Sequence, residues 1–248
     1  MIPALLAAVL WAGTPSPHAG ALQTPPEPDG PAPDSTVYRG DRGELRVSPP
    51  RFPEVDISVD GHLDEAEWDR AAVLTGFTQY EPVEGVEPSQ ETRVLVFYTP
   101  EAIYFGFHVL DSNPEEVLVH RTERDRSVTD DWVRIMLDTF NDRRQAYTFF
   151  VNPLGIQTDG HWREELPPLG GSPTGPRVDF NPDYIWESDG RVTDRGWMAE
   201  IRIPYVSIRF QEAPVQTWGL QIARGVTRSG YKMSWAPLTL DVSSVLRQ

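Results

Sequence analysis

The chain contains no cysteine. Disulfides, a lipid anchor on a modified cysteine, thiol catalysis and thiolate zinc sites are therefore excluded. Positive charge is scarce: 22 Lys+Arg stand against 37 Asp+Glu, a formal net charge of -15. A phosphate backbone is held by clustered cations, so nucleic acid is excluded as a partner, and so is anionic lipid met through a polybasic patch. Long apolar runs are missing too. The longest, residues 1–12, is about a dozen residues and too short to span a bilayer. The sequence has no Gly-rich phosphate loop and no serine on a nucleophile elbow. His62, His108, His120 and His161 do not have metal-ligand spacing.

What is present divides into three parts. The apolar start, followed by Ala19 and Ala21 in an A-x-A arrangement, reads as a secretory signal peptide over residues 1–21, although no Lys or Arg precedes Arg39. Residues 22–44 read as a proline-rich linker: between 22 and 36 there is one large apolar side chain, and proline supplies no amide donor. Residues 45–248 hold the apolar pattern of a folded domain. The expectation is an exported protein, located in the periplasm or associated with the outer membrane.

Within that domain the dominant period is two. Residues 92–99 and 102–110 alternate around Pro100-Glu101 and predict a hairpin. Residues 131–138, Asp-Trp-Val-Arg-Ile-Met-Leu-Asp, put Val133, Ile135 and Leu137 on one face and Trp132, Arg134 and Met136 on the other. Further strands are read at 146–151, 156–159, 185–187, 197–203, 218–224 and 232–235. About ten short strands, with turns every ten or so residues, predict an all-β fold, an antiparallel β-sandwich with one or two short helices. The best helix start is Asp64-Glu65-Ala66-Glu67-Trp68, with Asp64 as cap, Glu67 reaching back to it, and Trp68 pinning the turn. One helical turn is read at 204–208, and a long Pro- and Gly-rich loop at 164–180.

Several strings in this order resemble the family 9 carbohydrate-binding domains. They are residues 57–68, from Ile57-Ser58-Val59-Asp60-Gly61 to Ala66-Glu67-Trp68, the 131–138 strand, Phe150-Val151-Asn152-Pro153-Leu154-Gly155, Gly196-Trp197-Met198-Ala199-Glu200-Ile201-Arg202-Ile203-Pro204, Trp218-Gly219, and Ser234-Trp235-Ala236-Pro237. The chain looks most like the version that opens a group of bacterial outer-membrane proteins. The resemblance implies a sugar-binding sandwich that often carries structural calcium and acts in polysaccharide breakdown. In the outer-membrane group an outer-membrane β-barrel follows. Here the sequence stops eleven residues after Pro237, as a fragment or as a free-standing periplasmic form. Family members clamp a sugar between two tryptophans. Residues 126–130 and 238–244, where those would stand, contain no aromatic.

The candidate ligand site is therefore taken from the residues themselves. An outward Trp132 beside Arg134 suits a sugar ring, or it belongs to a second packed layer. Arg121, Arg124 and Asp125, with Arg126, offer a charged loop for hydroxyl or anion contacts, or a solvated salt-bridge loop. Asp111, Asp125, Asp130 and Asp131 fall at strand ends and are the candidate calcium ligands, without EF-hand spacing. Trp68, Trp186, Trp197, Trp218 and Trp235 are assigned to the core. The first functional reading is a non-catalytic module that binds a polysaccharide or oligosaccharide. The alternatives are a structural or gating domain of an outer-membrane barrel and a glycoside hydrolase or its accessory domain. Val133→Asp is expected to unfold the domain, by burying a charge.

Overall fold

The computed structural model describes residues 36–125, 129–167, 177–239 and 246, all within the unit Ser35–Gln248. The signal peptide, residues 22–35 of the linker, Arg126 and residues 168–176 of the 164–180 loop lie outside the described residues. Two sheets face each other. The first contains β1 (Val37–Arg39), β2 (Ala72–Thr75), β4 (Thr92–Tyr98), β5 (Ala102–Leu110), β11 (Gly196–Pro204) and β10 (Glu187–Thr193), in that order across the sheet. The second runs β3 (Thr78–Glu81), β13 (Tyr231–Ser234), β12 (Gly219–Val226), β6 (Trp132–Asp138), β7 (Gln145–Val151), β8 (Gln157–Arg163), β9 (Val178–Asp179). Among the described residues no helix is long and apolar enough to cross a membrane.

The alternation seen in the sequence builds the core. Val94, Val96, Phe105, Phe107, Trp197 and Ile201 from the first sheet meet Val133, Ile135, Leu137, Phe149, Val151 and Ile222 from the second. Each of these strands contributes residues of one parity, as a half-buried pleat requires. The expected hairpin is β4–β5, paired from Tyr98↔Ile103 outward.

Several details differ from the sequence reading. Within the stretch assigned to the linker, Val37–Arg39 pairs in parallel with β2, so the sheet is mixed rather than wholly antiparallel. The helix is Ala66–Asp69, with Glu65 rather than Asp64 at its N-cap position and no side-chain cap bond. Glu65 instead accepts the indole N–H of Trp68 at 3.1 Å. Trp68 does pin this turn to the sandwich. It packs with Phe52, Phe97 and Tyr104 on the outer face of the first sheet. Gly106 makes room there, since a Cβ at that position would lie 3.0 Å from the indole and 2.8 Å from Leu63. Ile185 is exposed and precedes its strand, which begins at Glu187.

Candidate functional site

The outer face of the seven-stranded sheet carries Trp132, Arg134 and Met136, as the alternation predicted. The register extends this face across five strands. Ser234, Ala223, Arg134, Phe150 and Thr158 form one cross-strand row on β13, β12, β6, β7 and β8. Lys232, Gly225 and Trp132 form the next row. Gln221, Met136, Thr148 and Gly160 form the row on the other side.

This face is less open than the sequence suggests. Trp132 is half-buried, Met136 is fully buried, and Arg134 is only 8% exposed. Leu238, just past β13, packs with Tyr80, Ala223 and Trp132. Leu246 packs beside Met136, Ala146, Trp162 and Val178. A strand face normally left wet thus has apolar cover at both ends.

Arg134 lies against two rings. Its guanidinium carbon is 5.8 Å from the Trp132 ring centre and 5.7 Å from that of Phe150. The rings meet edge to face at 5.6 Å. Phe180 extends the aromatic surface, 6.3 Å from Phe150. Burial pushes the Tyr80 hydroxyl up to about 12, and the Arg134 charge works against that rise. The Nε of Arg134 is buried without a hydrogen-bond partner, and so are Thr148 Oγ1 and Ser234 Oγ on the same face. Phe150, Phe180 and Tyr80 were missed in the sequence. The only signal for Phe150 was that it alternates with the core residue Phe149 on β7.

Gly225 holds the indole in place, because any Cβ there would overlap Trp132, lying 2.6 Å from its Cζ2. Gly225→Ala is expected to displace the ring, at a stability cost of about 1–3 kcal/mol. Near-UV circular dichroism checks this. An unchanged tryptophan band would mean the indole is not held there.

The charged loop does not join this face. Arg124 turns to Asp159 at 2.5 Å and Asp183 at 2.7 Å and donates to the Tyr184 carbonyl. Asp159 pairs with Phe149, whose side chain is in the core. Strand alternation therefore puts Arg124 on the side of the sheet opposite Trp132 and Arg134. Asp125 has φ 67° and donates its amide to the Gln157 carbonyl at 2.9 Å. Burial raises the pKa of its carboxyl group, and the nearby Asp159 and Asp183 add to that rise. Arg121 is exposed.

The four aspartates do not converge either. Asp111 takes both terminal nitrogens of Arg228, at 2.9 and 2.6 Å, with Arg224 at 3.5 Å. Burial works to raise its pKa, but the Arg228 bonds and the Asn113 amide outweigh it and hold the group below the ordinary carboxylate value. Asp131 accepts the Thr227 amide at 2.7 Å, and burial raises its pKa. Burial also brings Arg224 down to about 10, against the pull of Asp111 and Asp131. Asp130 is held by the His120 amide at 3.0 Å and Asn152 Nδ2 at 2.9 Å, and its other oxygen faces His120 Nδ1 at 2.7 Å. Asp125 belongs to the Asp159 group, not to these. Calcium needs six to eight oxygens around one point. Among the described residues no three His, Asp or Glu side chains are grouped to hold a metal ion. These four aspartates therefore do not form one calcium cluster.

A cavity of about 220 Å³ opens where β6 turns into β7, lined by His161, Arg163, Arg209, Gln145 and Tyr147 among others. That is below the usual size of a small-molecule pocket. An aromatic platform for a flat ring needs no such depth, so the Trp132 face is the stronger site.

No family model matches the chain, and no curated protein does. Among solved structures, a "putative carbohydrate-binding protein" from Bacteroides uniformis is 10% identical. The match covers 77% of this chain and 91% of that one, with a TM-score of 0.56. A family 9 carbohydrate binding module from Caldicellulosiruptor kristjanssonii is 14% identical in its glucose complex, over 75% and 84% of the two chains, with a TM-score of 0.49. Its cellotriose complex gives 15% identity, 75% and 83% coverage, and a TM-score of 0.47. The first of these similarities establishes a shared β-sandwich fold.

Proposed function

We propose that the chain is a non-catalytic module of an exported protein that binds a polysaccharide or oligosaccharide on the outer face of its seven-stranded sheet. The observation that carries this is the trio Trp132, Arg134 and Phe150, a cation set against two touching rings on a non-core face. A sugar offers such a surface an apolar C–H face for the ring and hydroxyls for the guanidinium. The fold shared with the Bacteroides protein, named for carbohydrate binding, supports the same reading. The hydrolase reading gains nothing from the geometry. Asp111 and Asp130 are engaged by protein donors, and Glu200 lies under the Asp60–Gly61 turn of the other sheet.

The test is calorimetric titration over plant and bacterial oligosaccharides. Trp132→Ala is expected to weaken binding by about 1–3 kcal/mol. Because the indole is half-buried against Phe150 and Leu238, the same change should cost about 2 kcal/mol of stability, roughly half of a full aromatic deletion. Saccharide affinity that survives the substitution would move the site elsewhere.

One observation favours a second reading, a structural or gating domain of an outer-membrane barrel. Leu238 and Leu246 seat the chain's own last described residues on the proposed sugar face. In-frame coding sequence for a barrel after codon 248, together with no saccharide binding, would favour it. A stop codon and measurable binding would retire it.

A further inference from the structure

Burying a charge costs several kcal/mol unless it is paired and hydrogen-bonded. The chain observes this rule at its other covered cations. Arg224 sits by Asp111 and donates to the Glu91 carbonyl, Arg228 is bidentate on Asp111, and Arg202 meets Glu187. On the very face in question, Lys232 is 2.7 Å from Glu81. Arg134 breaks the rule. It is 8% exposed, its Nε is buried without a hydrogen-bond partner, and it forms no ion pair with a carboxylate of the described residues. In a chain with 37 acidic residues against 22 basic ones, acid is not in short supply. Two rings give back part of the lost hydration through their π faces, but they supply no acceptor.

We propose that an acceptor for this guanidinium comes with the ligand, and that the site takes a uronic-acid saccharide whose carboxylate docks on Arg134. The inference rests on the saccharide-binding reading above and narrows it to a substrate class. The guanidinium is a planar fork that accepts a carboxylate in two parallel hydrogen bonds. Trp132 and Phe150 lie together against that fork, so a sugar ring bearing the carboxylate meets an aromatic surface where its charge is neutralised. Ser234 Oγ, two strands from Arg134 in its own row, and Thr148 Oγ1, one strand away in the next row, are further buried polar atoms of the face without a hydrogen-bond partner. The half-buried Trp132 marks the side from which the face is reached.

The experiment titrates the whole chain with trigalacturonate, its fully methyl-esterified form, cellotriose and a sulfated neutral trisaccharide. It uses the wild type, Arg134→Lys and Arg134→Met. Trigalacturonate should bind at least tenfold more tightly than its ester, and added salt should shrink that gap. Arg134→Lys should retain part of the preference and Arg134→Met none. Arg134→Met should also melt at or above the wild-type temperature, because it removes a buried charge with no carboxylate partner among the described residues. A lower melting temperature would show that the guanidinium is paired within the protein, which overturns the proposal. Equal binding of acid and ester overturns the uronate inference but leaves saccharide binding standing. An acid preference that persists in Arg134→Met also overturns it, as does sulfated sugar bound as tightly as uronate. No binding to any of the four, nor to a wider saccharide panel, overturns both readings.

Discussion

Ile135→Asp is expected to leave the domain unfolded at room temperature. Ile135 is fully buried, and its cross-strand partners are Ile222 on β12 and Phe149 on β7, both in the core. A carboxylate placed there has no donor within its row. Full burial raises a carboxyl pKa by about 3–5 units, which at neutral pH costs about 4 kcal/mol, the point at which the group takes up a proton instead of costing more. Lost packing adds about 2–4 kcal/mol. The sum reaches most of the stability of an ordinary domain, about 5–15 kcal/mol. Far-UV circular dichroism and thermal melting read the outcome. A cooperative transition with a loss below about 2 kcal/mol would place Ile135 outside the core. Val133→Asp, the substitution suggested by the sequence, is the milder change. Val133 lies opposite Arg224, whose Nη2 is buried without a hydrogen-bond partner. A carboxylate at 133 therefore gains a cation that one at 135 lacks.

That contrast shows how far the sequence could be read. Alternation is a property of one strand, and on β6 it correctly separated Val133, Ile135 and Leu137 from Trp132, Arg134 and Met136. What lies across the strand depends on register, and register is a property of pairs of strands. Nothing near residue 133 announces Arg224. Nothing near Arg134 announces Phe150. The charged loop failed for the same reason: Arg124 and Asp125 are close to Trp132 in sequence, but their anchor, Asp159, lies on a strand two places away in the sheet and points inward. The four aspartates at strand ends looked convergent. Arg228, from the turn between β12 and β13, reaches Asp111, while Asn152, after β7, reaches Asp130, and each draws its aspartate into a separate group. The cover on the sugar face was also out of reach, because Leu238 carries no periodic signal. The parallel strand Val37–Arg39 was hidden by the proline-rich stretch before it.

Glu200→Gln is expected to change how stability depends on pH. Glu200 is fully buried on β11, beside Gly106 on one neighbouring strand and Asp189 on the other. Its Oε2 accepts the amides of Asp60 at 3.0 Å and Gly61 at 3.2 Å, while Oε1 is buried with no partner. Burial pushes the carboxyl up to about 7, from an ordinary value of 4.5. The Asp60 and Gly61 amides pull it back, and the Glu65 and Asp60 charges push it further up. The folded state thus holds this proton more tightly than the unfolded chain does. The resulting stabilisation is fully present below about pH 4.5 and is lost as pH rises through about 7, an amount on the order of 3 kcal/mol. Glutamine keeps an acceptor for the two amides but does not titrate, and its buried Nε2 costs about 1–3 kcal/mol if unpartnered. Urea unfolding at pH 5 should therefore find the variant no more stable than the wild type. At pH 8 the balance should shift in the variant's favour by roughly 3 kcal/mol. A stability difference that is the same at both pH values would mean that Glu200 ionises in the folded protein as it does in the unfolded chain. The carboxylate would then have its hydration restored, and the Asp60–Gly61 turn would not seal it from water.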